Sequence, residues 1–305
     1  MRRSLPWFVI VLAVCAIATP SHAQLSAPLR GGEGTLQPIP EPADGRFRKP
    51  RNDVAFPGGK LVRGGRNISA AWFSGPVKRY HHQALGGDSE PETLTVSTAD
   101  RRVFRLTLPA DSVFEDRMPR LADVDGDGTD EVIVVRAYLK EGAALAIAAI
   151  RGPELKIIAE TPPIGRPFRW LNPAGIGDFD GDGKPDIALV RTPHIAGELQ
   201  IWTLVGGKLE QAYVTDDVSN HVAGSAHLAL SAVADFNGDG IADLAVPSFN
   251  RRALRFFTAK GKRLREFASV PLDGAAAEDF RIVTKGGKPA VQVGFAGGRT
   301  AVVQP

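Results

Sequence analysis

Apolar positions in this chain fall in short bursts rather than on a helical stripe. Runs such as EVIVV at 131–135, LAIAAI at 145–150, LKIIA at 155–159, IALV at 187–190, LQIWTLV at 199–205 and ALRFF at 253–257 are separated by Gly, Pro and clustered charge. Beyond residue 53 no segment keeps a 3.6-residue apolar period over three turns, so these runs predict β-strands and an all-β chain. A helical bundle is disfavoured.

The breaks between strands repeat. DVDGDGTDE at 123–131, DFDGDGKPD at 178–186 and DFNGDGIAD at 235–243 start 55 and 57 residues apart. Each is preceded by a strand of small residues and followed by an apolar one. A third strand, a Gly turn (Arg151-Gly152, Gly206-Gly207, Lys260-Gly261) and a fourth strand then follow. Four strands per repeat describe a propeller blade. Weaker copies flank the three clear ones, with Arg101 and Arg102 placed upstream, and Arg299 downstream, between the second and third strands. The chain therefore reads as a β-propeller over 61–305 with five blades, six or seven being the alternative. The last blade is one strand short, and an N-terminal strand from the apolar stretch at 67–73 is expected to close it, because closure removes open sheet edges.

Before the propeller come two other segments. Met1-Arg2-Arg3, the apolar stretch 5–18 and Ser21-His22-Ala23 form the three regions of a secretory signal, with cleavage expected after Ala23. Residues 24–60, rich in Pro and Gly, read as a flexible linker. The leader carries Cys15, the one cysteine of the 305 residues, so a mature chain has no disulfide and no thiolate chemistry. The expected location is periplasmic or secreted, and the chain is not expected to be an integral membrane protein.

Charge sharpens the picture. Removing Arg2 and Arg3 from 37 basic residues leaves 35 against 34 acids. Twelve of those acids lie in the three loops, so 22 acids remain elsewhere and the rest of the molecule carries about +13. Near-neutrality hides a separation of charge.

In each loop, oxygens at positions 1, 3, 5 and 9 and the backbone carbonyl of position 7 can converge, because glycines at 4 and 6 let the chain curl. An oxygen-only set suits a hard cation, and Ca2+ accepts it more readily than Mg2+. An EF-hand is excluded: position 12 is Val134, Leu189 or Val246, inside apolar strands.

These loops, with their flanking strands, resemble the FG-GAP and VCBS repeats of integrin-type β-propellers over about 118–271. The resemblance implies about three structural Ca2+ ions. The implied ligands are Asp123, Asp125, Asp127, the Thr129 carbonyl and Glu131; Asp178, Asp180, Asp182, the Lys184 carbonyl and Asp186; and Asp235, Asn237, Asp239, the Ile241 carbonyl and Asp243. Asn237 lowers the charge of the third site.

No Gly-x-Ser-x-Gly elbow, phosphate loop or His-Glu-x-x-His helix occurs. His81, His82, His194, His221 and His227 read as solvated loop residues, and the acid pairs Glu115-Asp116, Asp216-Asp217 and Glu278-Asp279 as loop charges. The expected function is a non-enzymatic binding module, with a carbohydrate-active hydrolase or lyase as the alternative. The up-and-down strand order puts the acidic loops and the third-to-fourth turns on one face. Arg101, Arg102, Arg136, Arg191, Arg251, Arg252, and Arg166 and Arg169 beside Trp170, are expected on the other. Arg captures carboxylate, sulfate and phosphate in bidentate fashion, so the expected partner is an anionic glycan or envelope polymer, or a protein, and not nucleic acid.

Overall fold

The computed structural model describes residues 55–261 and 263–305; the leader and residues 24–54 of the linker lie outside them. Twenty strands form five antiparallel sheets in chain order. The first holds β1 (Val62–Arg63), β2 (Ile68–Val77), β3 (Glu90–Thr98) and β4 (Val103–Thr107); the second holds β5 (Ser112–Phe114), β6 (Arg120–Ala122), β7 (Glu131–Tyr138), β8 (Gly142–Arg151) and β9 (Glu154–Glu160). The third holds β10 (Leu171–Gly177), β11 (Asp186–Arg191), β12 (Glu198–Val205) and β13 (Lys208–Thr215). The fourth holds β14 (Ala232–Ala234), β15 (Asp243–Pro247), β16 (Ala253–Thr258) and β17 (Arg265–Pro271); the fifth holds β18 (Ala276–Lys285), β19 (Lys288–Phe295) and β20 (Arg299–Val303). Among the described residues no helix is long and apolar enough to cross a membrane.

Successive sheets pack face to face, and the second sheet is buried on both faces, which is why its middle strands β7 and β8 are apolar over most of their length. On β7, Val132 and Val134 pack with Phe73, Leu94 and Phe114 of one cluster. The alternate residues Ile133 and Val135 pack with Ile187, Leu189 and Trp202 of another. A strand with one solvated face would have alternated instead. First strands β10, β14 and β18 lie side by side. Lys60, just before β1, joins the ring's ends: its amide donates to the Arg117 carbonyl (2.7 Å) and its Nζ reaches Asp279 Oδ2 on β18 (3.3 Å). This is the β-propeller the repeats predict.

Two expectations need correction. The stretch at 67–73 does not complete the last blade; it forms most of β2, paired with β1 and β3, and the fifth sheet has three strands among the described residues. The first blade is therefore one strand out of phase with the sequence reading. Residues 55–60 also belong to the folded body: Ala55 bridges Ser74, and the buried Phe56 donates its amide to the Phe73 carbonyl.

The second sheet has a broken first strand. β5 pairs with the far end of β7 and β6 with its start, leaving 115–119 as an interruption between them. Asp116 fills the gap by accepting the Val135 amide at 3.0 Å.

Candidate functional site

The acidic loops join first strands to second strands in sheets two, three and four. Their paired glycines have φ between 78° and 87°, the left-handed region that a Cβ disfavours, so Gly at positions 4 and 6 lets the loop close on itself. Position 1 then accepts backbone amides across the loop. Asp178 takes those of Gly181, Asp182 and Gly183 at 2.7–3.0 Å, and Asp235 those of Gly238, Asp239 and Gly240 at 2.7–3.0 Å. Position 9 anchors the far side: Glu131, Asp186 and Asp243 accept the amides of Val124, Phe179 and Phe236 at 3.0–3.3 Å. The amides of Thr129, Lys184 and Ile241 at position 7 donate to the position 5 carboxylates.

Carboxylate oxygens of Asp123, Asp125 and Asp127 lie within 4.8 Å of one another, as do those of Asp178, Asp180 and Asp186. Asp123 Oδ1 is buried without a hydrogen-bond partner. Burial, then neighbouring carboxylates, pushes Glu131 up to about 7. Burial likewise raises Asp186 and Asp243 to about 6. Oxygen-only donors, an orphaned oxygen and mutual repulsion fit a divalent hard cation in the first two loops. Loop three gathers less: Asn237 turns its Nδ2 toward Asp243 Oδ1 (3.0 Å), and Lys260 Nζ lies 3.3 Å from Asp239.

Strand order assigns the faces. Arg151 and Lys260, from third-to-fourth turns, both touch acidic loops, as the up-and-down order requires. In the first sheet the β1–β2 turn lies there too, since Arg66 pairs with Asp123 at 3.2 Å. The Ala99 amide bonds the Asn67 carbonyl, so the β3–β4 turn joins the same face. Arg101 and Arg102 are in that turn, and a ring of arginines on the opposite face cannot include them. The phase slip in the first blade is the cause.

The opposite face carries the second-to-third loops and the connections between sheets. Among the described residues Arg166, Arg169, Arg251 and Arg252 have no carboxylate partner there; Arg169 Nη1 and Arg251 Nε bond only the carbonyls of Phe168 and Ala276, at 2.8 and 3.1 Å. Arg136 is committed elsewhere, to Ser112 and Glu160 and over the Tyr138 ring. Arg191 approaches the Ile164 carbonyl and Glu198. Trp170 is 2% exposed and donates its Nε1–H to the Glu115 carbonyl at 2.9 Å.

Two groups here escape a linear reading. Glu115 and Asp116 are buried, not solvated, and point apart: Glu115 Oε1 meets His82 Nδ1 at 2.6 Å, whereas Asp116 Oδ2 meets Arg120 Nη1 at 2.5 Å. Burial, with Asp116 adding to it, holds the Glu115 carboxyl well above the usual range, and burial raises Glu90 nearby to about 8. His194 Nε2 lies 2.8 Å from Nδ1 of the buried His221, whose Nε2 donates to the Ser225 carbonyl at 3.0 Å. Burial lowers His194 to about 4 and His221 to about 3, so both imidazoles are neutral at pH 7. Only burial could have flagged them, and no local sequence pattern reports it.

A search of curated proteins finds no match for the chain. Among solved structures it is similar to the exotype rhamnogalacturonan lyase YesX at 14% identity and a TM-score of 0.45, over 84% of this chain and 57% of that one. The family model for the FG-GAP-like repeat matches residues 123–189 and 178–246, each span opening on one acidic loop and ending just beyond the next. The chain thus carries FG-GAP-like repeats on its middle blades, over residues 123–246.

Proposed function

We propose that this is a secreted or periplasmic propeller, stabilised by Ca2+ on one face, that recognises an anionic glycan or envelope polymer with the other. Asp178, Asp180, Asp182 and Asp186 would hold the ion most simply, with the sets around Asp123 and Asp235 as further sites. Bound Ca2+ supplies positive charge that lets the facing carboxylates stay ionised in the folded loop. The leader ending at Ala23 would direct export.

The observation that carries the reading is the separation of charge between faces. Carboxylates concentrate in the first-to-second loops, while Arg166, Arg169, Arg251 and Arg252 stand opposite without carboxylate partners among the described residues. Unpaired guanidinium groups attract anions over a Debye length of about 8 Å at physiological salt and capture planar anions in bidentate geometry. A glycan array probed with the Ca2+-loaded chain from Gln24 tests this, run beside a turnover assay on the same glycans. Binding confined to anionic glycans without turnover supports a binding module. Turnover would establish the enzyme alternative, and binding confined to neutral glycans would overturn the ligand class.

A further inference from the structure

We propose that Phe168, His82 and Arg169 form a built subsite for one acidic sugar residue, a pyranose ring bearing a carboxylate; this rests on the anionic-glycan reading above. Phe168 is 44% exposed, although it lies beside a well-packed sheet. Its backbone is held at φ 55°, a left-handed conformation that costs a non-Gly residue on the order of 1–3 kcal/mol and persists only where the surroundings impose it.

The surroundings are specific. The Phe168 amide donates to the hydroxyl of buried Tyr80 at 3.1 Å, and the Phe168 ring stacks on Tyr80 at 5.2 Å between centroids. The His82 ring lies 5.8 Å from Phe168 and edge-on to Tyr80 at 5.9 Å. The same loop is pinned again two residues on, where Trp170 donates to the Glu115 carbonyl. An exposed aromatic plane is thus fixed in place before any ligand arrives, which removes the ordering cost of binding.

The polar side is equally fixed. Glu115 is completely buried, grips His82 Nδ1 and leaves its Oε2 without a partner. Burial holds the Glu115 carboxyl well above its usual range, whereas burial and then Arg169 lower His82. A protonated Glu115 donating to Nδ1 across their 2.6 Å contact leaves the ring hydrogen on Nε2 of His82, which then donates outward. The next residue after Phe168 is Arg169, whose guanidinium has no carboxylate partner among the described residues. A flat apolar face flanked by an N–H donor and a guanidinium matches an acidic pyranose: ring carbons on Phe168, a ring oxygen substituent on His82, the carboxylate on Arg169.

Calorimetric titration of the Ca2+-loaded chain with tetragalacturonate, dextran sulfate and neutral maltotetraose tests the inference. Wild type should bind tetragalacturonate but not maltotetraose. Phe168→Ala and Arg169→Ala should each weaken that binding at least tenfold, Phe168→Tyr should retain it, and melting temperatures of all three should match wild type. The His82 ring resonances should shift on titration. If Phe168→Ala and Arg169→Ala bind as wild type while Arg251→Glu/Arg252→Glu does not, the subsite is wrong and the basic face stands. Binding of dextran sulfate alone also overturns the subsite and leaves the face. Binding of neither anion overturns both.

Discussion

Arg151 Nη2 lies 2.6 Å from Asp125 Oδ2 and 3.5 Å from Glu131 Oε1, so a guanidinium from the end of β8 occupies the first acidic loop. Lys260 does the same to Asp239 in the third. No basic side chain pairs with the carboxylates of the second loop among the described residues. The three repeats therefore share a motif but not an electrostatic environment.

The consequence is an order of Ca2+ affinity, with the 178–186 loop tightest. Arg151→Ala should raise the affinity of the first loop about tenfold, since the arginine no longer competes for the same oxygens. The same variant without Ca2+ should be less stable than wild type because Asp125, Asp127 and Glu131 lose their counter-charge. Terbium luminescence or calorimetry, resolved with Asp180→Ala to silence the second loop, measures both effects. Equal affinities at all three loops would contradict the ordering.

Chelation should destabilise the fold. A site held at 100 times its dissociation constant adds about 2.7 kcal/mol by linkage, so each occupied loop contributes on that order. Differential scanning calorimetry in millimolar Ca2+ and then in chelator should show a clear fall in melting temperature, and Asp180→Ala should remove part of it. Identical melts, with no metal by elemental analysis, would contradict a structural cation.

Glu90 should make stability decline as pH rises from about 4.5 to 8. Its carboxyl is 1% exposed and raised to about 8, against 4.5 unfolded, by burial and then by Glu115. A raised carboxyl stabilises the fold fully below the unfolded value and loses that contribution as pH rises through the folded one. Within the window from about 4.5 to 8 the loss is about 1.4 kcal/mol per pH unit. On the acid side His194 and His221, lowered to about 4 and 3, favour the fold above 6.5 and lose that contribution as pH falls through those values. Denaturant midpoints from about pH 6.5 to 8, above the range in which the two histidines titrate, check the Glu90 slope by comparing wild type with Glu90→Gln, which should flatten it.

Core substitutions should behave by face. Ile147 on β8 is wholly buried in the cluster between the second and third sheets. Ile147→Ala should cost about 2–5 kcal/mol in urea unfolding. The exposed Val302 on β20, replaced by Ala, should change stability by no more than about 0.5 kcal/mol.

Local features were legible in the sequence and long-range ones were not. The loop from Asp178 to Asp186 closes on itself within nine residues, so its spacing already specifies its geometry. The opening blade lacks that ladder, and its first strand is only Val62–Arg63, too short to leave a periodic signal, so the sequence pattern alone places Arg101 and Arg102 on the wrong face. His82 and Glu115 stand 33 positions apart and meet only because the first strand of the second sheet breaks at 115–119. Phe168 looks like any loop aromatic until its φ and its stacking on Tyr80 are known.

The central claim is that anion recognition belongs to the face opposite the acidic loops, and salt-dependent retention on an immobilised anionic polysaccharide tests it most directly. Wild type should be retained at low salt and elute as salt rises, because exposed ion pairs are screened. Arg251→Glu/Arg252→Glu should elute markedly earlier, while Arg263→Glu/Arg265→Glu, around the β16–β17 turn on the acidic-loop face, should elute with wild type. Equal loss of retention in both variants, or no retention of wild type at low salt, would contradict the account.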